Sequence, residues 1–377
     1  MSKTSKSNKD LQLLRRLRAV QAFEMGDESL LDEARDAKHR QLARPPPASS
    51  AASASTSTSS SALSAFERDV VGGARRVSPQ HWAGTITDQW MVGRVPSGGY
   101  VTAVVLACVR GEESATKEAG DPKRHPDILT ANCHFLSATM PGPFACRVEV
   151  LKSGRRTGTV EARLYQQDKL CFTALVTTGN LAAAAAAGPN LAPPGSGGPP
   201  DLPPAQACVR LDGGDNNARS VRERVHIAVP ERTAGLFGEC RTTRPDGTFD
   251  EEVLARRTQQ VAKGGAADYA GYMSFSDGAP ITLAAAPVFL DASLPPILGV
   301  HVTGWVPTIN WTVQFKRHPV TRSGGAGGAL RFRLSTRRVT GGFLEEDGEL
   351  WDEAGNLVAL SRQLALVGVS QANVAKL

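Results

Sequence analysis

The stretch PVFLDASLPPILGVHVTGWVPTINWTVQFKR, residues 287–317, contains the elements on which the fold depends. An apolar run ends at Asp291, the double proline Pro295-Pro296 breaks the chain, and an alternating strand opens near Thr308. Proline interrupts a helix, and alternation of apolar and polar residues is typical of a strand with one buried face. The stretch therefore predicts a buried helix that ends beside a carboxylate and leads into a sheet.

A similar combination occurs in the first half of the chain. The stretch WMVGRVPSGGYVTAVVLACVRGEES, from Trp90, contains a Gly-rich turn and then an almost unbroken apolar run from Tyr100 to Val109. A helix this apolar must be buried, and a sheet wrapped around it is the simplest arrangement that buries it. The strands of that sheet are predicted in ILTANCHFLSA, FACRVEVLKSG, TGTVEARLYQQ and KLCFTALVTTG.

The second half repeats this order and indicates an internal duplication. Its strands are predicted in ADYAGYMSFSDG, TINWTVQFKR, ALRFRLSTRR, GGFLEEDGELWDEAG and LVALSRQLALVGV. Shifts in composition then divide the chain into five parts. These are an N-terminal amphipathic helix with a disordered linker (1–64), a first domain (65–180), an Ala/Pro/Gly-rich linker (181–220), a second domain (221–370) and a tail (371–377).

Composition narrows the classes of ligand. The chain has 377 residues and a net charge of +6, from 43 Lys and Arg against 37 Asp and Glu, which suits an anionic ligand but is too weak and scattered for nucleic acid. No window is apolar for long enough to predict a membrane span. The six cysteines are widely spaced, so we expect free thiols and no zinc site.

Several motifs in order along the chain resemble one known family. GRVPSGGYVTAVVL, LKSGRRTGTVEARLYQQDKL, FLDASLPPIL, PTINWTVQFKR and ELWDEAGNLVALSRQLALV together resemble the acyl-CoA thioesterase II family, and especially its fungal thioesterase-like branch. The resemblance implies an α+β double hotdog fold, in which each half is a long helix wrapped by an antiparallel sheet and the halves pair as a pseudo-dimer. It also implies an acyl-CoA substrate, no cofactor, and association into a homo-oligomer.

The resemblance also implies which residues act. Family members hydrolyse acyl-CoA with an Asp, a Thr and a Gln that hold one water, and these match Asp291 in FLDAS, Thr308 in PTINW and Gln363 in LSRQLA. The chain departs from the bacterial members at Asn310, where they have Asp. Considered singly, Asp291 is equally suited to capping a helix end, and Thr308 and Gln363 to ordinary positions in strands.

Elementary chemistry agrees with a direct attack by water. The apolar residues before Asp291 would desolvate its carboxylate, raise its pKa and make it a better general base. We expect no acyl-enzyme, because the chain has no GxSxG motif and no cysteine with a nucleophile motif.

Two weaker sets of binding residues follow from the same motifs. The N–H groups of Gly98 and Gly99, at the start of the apolar helix, suit an oxyanion or a substrate contact, although glycine there also suits a tight turn. Arg155 and Arg156 could bind CoA phosphates or form a solvated pair beside a turn.

The residues Ala375-Lys376-Leu377 resemble the signal that peroxisomal import receptors read, so we expect a peroxisomal protein. The alternative is a cytoplasmic protein with an incidental tail. The expected activity is hydrolysis of a fatty acyl-CoA to free acid and CoA. The alternatives are a non-catalytic acyl-CoA-binding or scaffold protein and, less in keeping with the motifs, a hotdog enoyl-CoA hydratase, which would need an Asp and a His together on its active-site turn.

Overall fold

The computed structural model describes residues 63–118, 120–121, 123–211, 219–237, 251–262, 265–301, 306–321 and 328–367. Most of the predicted N-terminal extension (residues 1–62) and the tail with Ala375, Lys376 and Leu377 lie outside these ranges. The peroxisomal location and the homo-oligomer stay predictions. Within the described ranges, no helix combines the length and the hydrophobicity that a membrane crossing requires.

The first half is built around one long helix. A short π-helix (Glu67–Val71) precedes β1 (Ala74–Ser78), β2 (His81–Ile86), β3 (Met91–Val92), β4 (Val95–Pro96) and α1 (Gly98–Thr116), and β5 (Asp127–Phe135), β6 (Gly142–Ser153), β7 (Gly158–Gln166) and β8 (Lys169–Gly179) follow. The predicted helix and its four strands are confirmed, whereas the hairpin β1–β2 was not predicted. Most of α1 is buried.

The predicted linker contains more structure than its composition suggested. It includes α2 (Leu181–Ala187), a 3-10 turn (Ala205–Ala207) and β9 (Val209–Arg210). The Asn180 side chain caps α2 by accepting a 2.8 Å hydrogen bond from the Ala183 N–H. Alanine has the highest helix propensity, so a capped run of six alanines forms a helix where a coil was expected.

The second half has the predicted strands and a much shorter central helix. Its elements are α3 (Val221–Arg224), β10 (Val225–Val229), α4 (Glu231–Phe237), α5 (Glu251–Ala262), β11 (Asp268–Phe275), a 3-10 turn (Leu283–Ala285), α6 (Ala286–Ala292), a 3-10 turn (Pro296–Gly299), β12 (Thr308–Phe315), β13 (Leu330–Ser335), β14 (Val339–Thr340), β15 (Phe343–Trp351) and β16 (Leu357–Leu366). The buried helix predicted before the double proline is confirmed, but it is shorter than the long helix that the resemblance implied. Tyr269 donates to the Leu294 carbonyl just after α6, and Pro295 prevents the helix from continuing.

The two halves share one continuous antiparallel sheet. Its strand order is β1-β2-β6-β7-β8-β5-β12-β16-β15-β13-β11-β10-β9, with β14 beside β15. The halves join where β5 pairs with β12, with Trp311 opposite Cys133. The sheet wraps α1 and α6 and confirms the α+β double hotdog fold.

The two central helices touch backbone to backbone. A Cβ atom added at Gly99 would lie 2.3 Å from the Pro287 carbonyl oxygen, so only glycine allows α1 and α6 to approach this closely. A Cβ atom at Gly348 on β15 would lie 2.9 Å from Leu290 on α6. These two glycines bring the end of α6 close to both the start of α1 and the sheet.

Candidate active site

Asp291 lies in the last turn of α6 and points at the start of α1. Its Oδ2 atom accepts hydrogen bonds from Ser97 Oγ and from the Gly99 N–H, both at 2.7 Å. Ser97 is also the N-cap residue of α1. Asp291 therefore does cap a helix end by accepting from its donors, but the helix is α1 and not α6, to which Asp291 belongs. Both bonds use the same oxygen, Oδ2. The other oxygen, Oδ1, receives neither of them.

The surroundings of Asp291 suit a base. Burial raises the pKa of its carboxyl group, and the bonds from Ser97 and Gly99, the charge of Arg222 and the Gly98 N–H partly oppose that rise. A carboxylate that is desolvated but still held by donors is both ionisable and more basic than one in water.

A row of three polar side chains crosses the sheet next to Asp291. The neighbouring strands β12, β16 and β15 carry Thr308, Gln363 and Glu346, and Gln363 lies directly opposite Glu346 in the strand register. Thr308 Oγ1 donates to Gln363 Oε1 at 2.7 Å. Gln363 Nε2 donates to Glu346 Oε1, also at 2.7 Å.

Glu346 is the member of this row that sequence reasoning missed. It is 5% exposed, and its Oε2 atom is buried without a hydrogen-bond partner among the described residues. Burial, together with the nearby charges of Asp291 and Asp347, raises its pKa to about 8, although the bond from Gln363 acts in the opposite direction. A signal was present in the sequence, because Glu346 occupies the inward phase of an alternating strand with Leu344 and Leu350.

All four polar residues line one cavity of about 510 Å³. Ser97, Gly98 and Arg222 lie at the same cavity. Much of the remaining wall is apolar and includes Val95, Val101, Phe135, Leu290, Leu294 and Leu298. The cavity thus combines a small polar cluster with an apolar wall, which is typical of a site for a largely apolar ligand.

The structure brings Asp291, Thr308 and Gln363 together, and their catalytic roles stay a prediction. The Gly99 N–H donates to Asp291, and Gly99 is not part of the cavity wall, so its position favours the tight turn over a contact with an oxyanion. Gly98 does line the cavity. Arg155 and Arg156 are exposed in the turn between β6 and β7 and are not part of the cavity wall, so their position favours the solvated pair.

Asn310 lies outside the cavity wall. Its side-chain amide donates to Asn132 Oδ1 and to the Cys133 carbonyl oxygen, both at 2.9 Å. The register of β12 against β16 shifts between Thr308 and Asn310, which turns the two side chains in different directions. Asn310, the residue at which the chain departs from the bacterial pattern, therefore links β12 to β5, where the two halves of the sheet join. It is not one of the residues that line the cavity.

The polar cluster contains carboxyl, amide and hydroxyl groups. No group of three or more His, Cys, Asp or Glu side chains in the described part of the chain could hold a metal ion. No histidine of the described residues lines the cavity.

Two family models match the chain. They are the acyl-CoA thioesterase N-terminal domain over residues 86–179 and the acyl-CoA thioesterase C-terminal domain over residues 228–367. Together they match more than half of the chain, and each model falls on one half of the double hotdog.

The chain is also similar to individual proteins. An uncharacterized Mycobacterium tuberculosis protein is 27% identical over 313 residues, which is 81% of this chain and 96% of that protein. The thioesterase-like protein TwmA of Talaromyces wortmannii is 37% identical over 75 residues, 20% of each chain. A solved structure of an Alicyclobacillus acidocaldarius protein with a hot dog fold superposes with a TM-score of 0.62 and 17% identity, covering 82% of this chain and 99% of that one.

The matched domains occur in the same order as the two halves of the sheet, and they confirm the family inferred from the sequence motifs. This chain belongs to the acyl-CoA thioesterase family.

Proposed function

We propose that the protein hydrolyses a fatty acyl-CoA to the free acid and CoA by direct attack of water, with Asp291 as general base. The observation that carries the proposal is the arrangement of Asp291. Donors from α1 hold Oδ2, so Oδ1 is the oxygen that can accept a proton, and the Thr308–Gln363 pair lines the same cavity.

The polar row is suited to orienting the water. The Thr308 hydroxyl donates to Gln363, so its oxygen lone pairs remain available to accept a hydrogen from water. Gln363 Nε2 carries a second hydrogen besides the one that it gives to Glu346, and this hydrogen can bind the water oxygen. Water held by these two groups beside Asp291 is ready for deprotonation.

The reaction then follows from acid–base chemistry. Asp291 takes a proton from the water while the water oxygen forms a bond to the thioester carbonyl carbon. A tetrahedral oxyanion results. Collapse of that intermediate breaks the carbon–sulfur bond, and the proton passes from Asp291 to the departing thiolate. The apolar wall of the cavity suits the acyl chain of the substrate.

The similarity to TwmA of Talaromyces wortmannii supports placing this protein in the fungal branch of the family.

The test is release of CoA, followed with a thiol reagent, across short, medium and long acyl-CoAs. Asp291→Asn should lower kcat by about 10²- to 10⁴-fold, because the general base is lost. The matched control Asp201→Asn changes an exposed aspartate in the linker and should behave as wild type. Normal turnover by folded Asp291→Asn would exclude Asp291 as the base.

The two alternatives predict different results. A binding or scaffold protein would bind acyl-CoA without releasing CoA from any chain length. Asn310, where the chain departs from the bacterial members, lies outside the cavity wall, so this departure does not favour the binding protein. A hydratase would consume crotonyl-CoA without releasing CoA.

A further inference from the structure

The orientation of the Gln363 amide depends on Glu346. An amide can rotate by 180° and exchange its oxygen and nitrogen, and a threonine hydroxyl can pair with either atom because it both donates and accepts. Thr308 alone therefore does not select one orientation. Glu346 Oε1 accepts from Gln363 Nε2 at 2.7 Å, which leaves the amide oxygen facing Thr308. A neutral acid keeps this orientation when its proton is on Oε2, because Oε1 is then the carbonyl oxygen and can only accept.

The charges around Glu346 are mostly of its own sign. Asp291 faces it from α6, and Asp347 follows it on β15, where Arg337 and Arg362 bind Asp347. The described residues provide no ion-pair partner for Glu346.

Two carboxyl groups at one desolvated cavity are not easily ionised together, and the better-solvated one ionises first. Asp291 has two donors to Oδ2 and the nearby charge of Arg222, whereas Glu346 has the single amide donor of Gln363.

We propose that Glu346 is a positioning residue that works as a neutral acid, fixing the Gln363 amide and, through it, the Thr308 hydroxyl while Asp291 carries the negative charge. The inference rests on the proposed hydrolysis and adds a fourth member to its site. In this proposal the proton of the acid is on Oε2, the oxygen that is buried without a hydrogen-bond partner among the described residues. Ionisation of Glu346 places a second negative charge beside Asp291 and the developing oxyanion, so hydrolysis slows when Glu346 loses its proton.

The experiment compares the pH dependence of kcat for wild type, Glu346→Gln and Glu346→Leu. Wild-type kcat should fall as pH rises through about 8, the pKa to which burial raises Glu346. Glutamine is neutral at every pH and can still accept from Gln363, so Glu346→Gln should stay within about threefold of wild type at pH 7 and lose this alkaline fall. Leucine cannot accept, so Glu346→Leu should lower kcat about 10- to 100-fold at every pH.

Glu345→Gln makes the same change one position earlier, on the opposite side of β15, and should keep the wild-type profile. The inference is overturned on its own if wild type hydrolyses acyl-CoA and loses activity in Asp291→Asn, while folded Glu346→Gln keeps the same alkaline fall. A folded Glu346→Leu with wild-type kcat would overturn it in the same way. Wild type that releases no CoA from any chain would overturn the proposed function and this inference together.

Discussion

Two buried glutamates, Glu112 in the first half and Glu346 in the second, have opposite surroundings. Glu112 on α1 is 1% exposed and accepts from Arg76 at 2.8 and 2.9 Å, from Trp82 Nε1 at 3.0 Å and from the Gln80 N–H at 3.1 Å. Burial would raise its pKa, but these donors outweigh burial and lower it. Glu346 is 5% exposed, has a single amide donor and has its pKa raised to about 8.

This difference indicates that Glu112 stabilises the fold, whereas Glu346 belongs to the candidate active site. The donors Arg76, Gln80 and Trp82 all lie in the β1–β2 hairpin, so the bonds to Glu112 hold α1 against this hairpin. Glu346 lines a cavity, and one of its oxygens has no hydrogen-bond partner in the part of the chain that the structure describes. Unsatisfied buried polar atoms are rare, and a cavity wall is where such an atom can still find a ligand or water.

Removal of the satisfied glutamate should have the largest effect on stability. Glu112→Ala leaves Arg76, Trp82 and Gln80 without their buried acceptor, so the free energy of unfolding should fall by about 3 kcal/mol. Alanine favours a helix, so the loss would not come from helix propensity. Urea unfolding at pH 7 measures it, with the exposed Glu223→Ala as control. Equal unfolding midpoints for wild type and Glu112→Ala would contradict a stabilising role.

The pH dependence of unfolding should distinguish the two glutamates by sign. The pKa of Glu346 is raised from 4.5 to about 8, so its contribution is full at low pH and is lost as pH rises through this interval. The pKa of Glu112 is lowered, so its contribution is present at neutral pH and is lost as the solution becomes acidic.

Glu346→Gln should therefore flatten the fall in unfolding midpoint between about pH 5 and 8. Glu112→Gln should instead flatten the fall on the acid side. Urea midpoints measured from pH 4 to 9 test both variants. Curves for wild type and Glu346→Gln that run parallel throughout would show that Glu346 does not titrate as expected.

The smallest effect is expected at the exposed arginines. Arg155→Ala and Arg156→Ala lie in a solvated turn away from the cavity, so each should change the free energy of unfolding by less than about 0.5 kcal/mol. Neither should alter KM for acyl-CoA. A KM raised severalfold in either variant would instead support the alternative in which these arginines bind the CoA phosphates.

Three residues of the candidate active site could be predicted from the amino-acid sequence alone. Asp291, Thr308 and Gln363 follow from motifs in the chain, and the structure places all three at one cavity. The Ser97–Asp291 bond could not be read in this way, because it joins residues 194 positions apart. Glu346 could be recognised as an inward-facing acid, but its partner Gln363 depends on the register of β15 against β16.

The amino-acid sequence by itself determined the local elements, since apolar runs, alternation, alanine content and proline breaks act over a few residues. It thus specified α1, the predicted strands of both halves and the carboxylate after the apolar run. Only the tertiary structure decided that the halves join through β5 and β12, that Asp291 accepts from the start of α1, and which donors reach Glu112 and Glu346. Those outcomes depend on strand register and on contacts between distant segments, which short-range patterns do not contain.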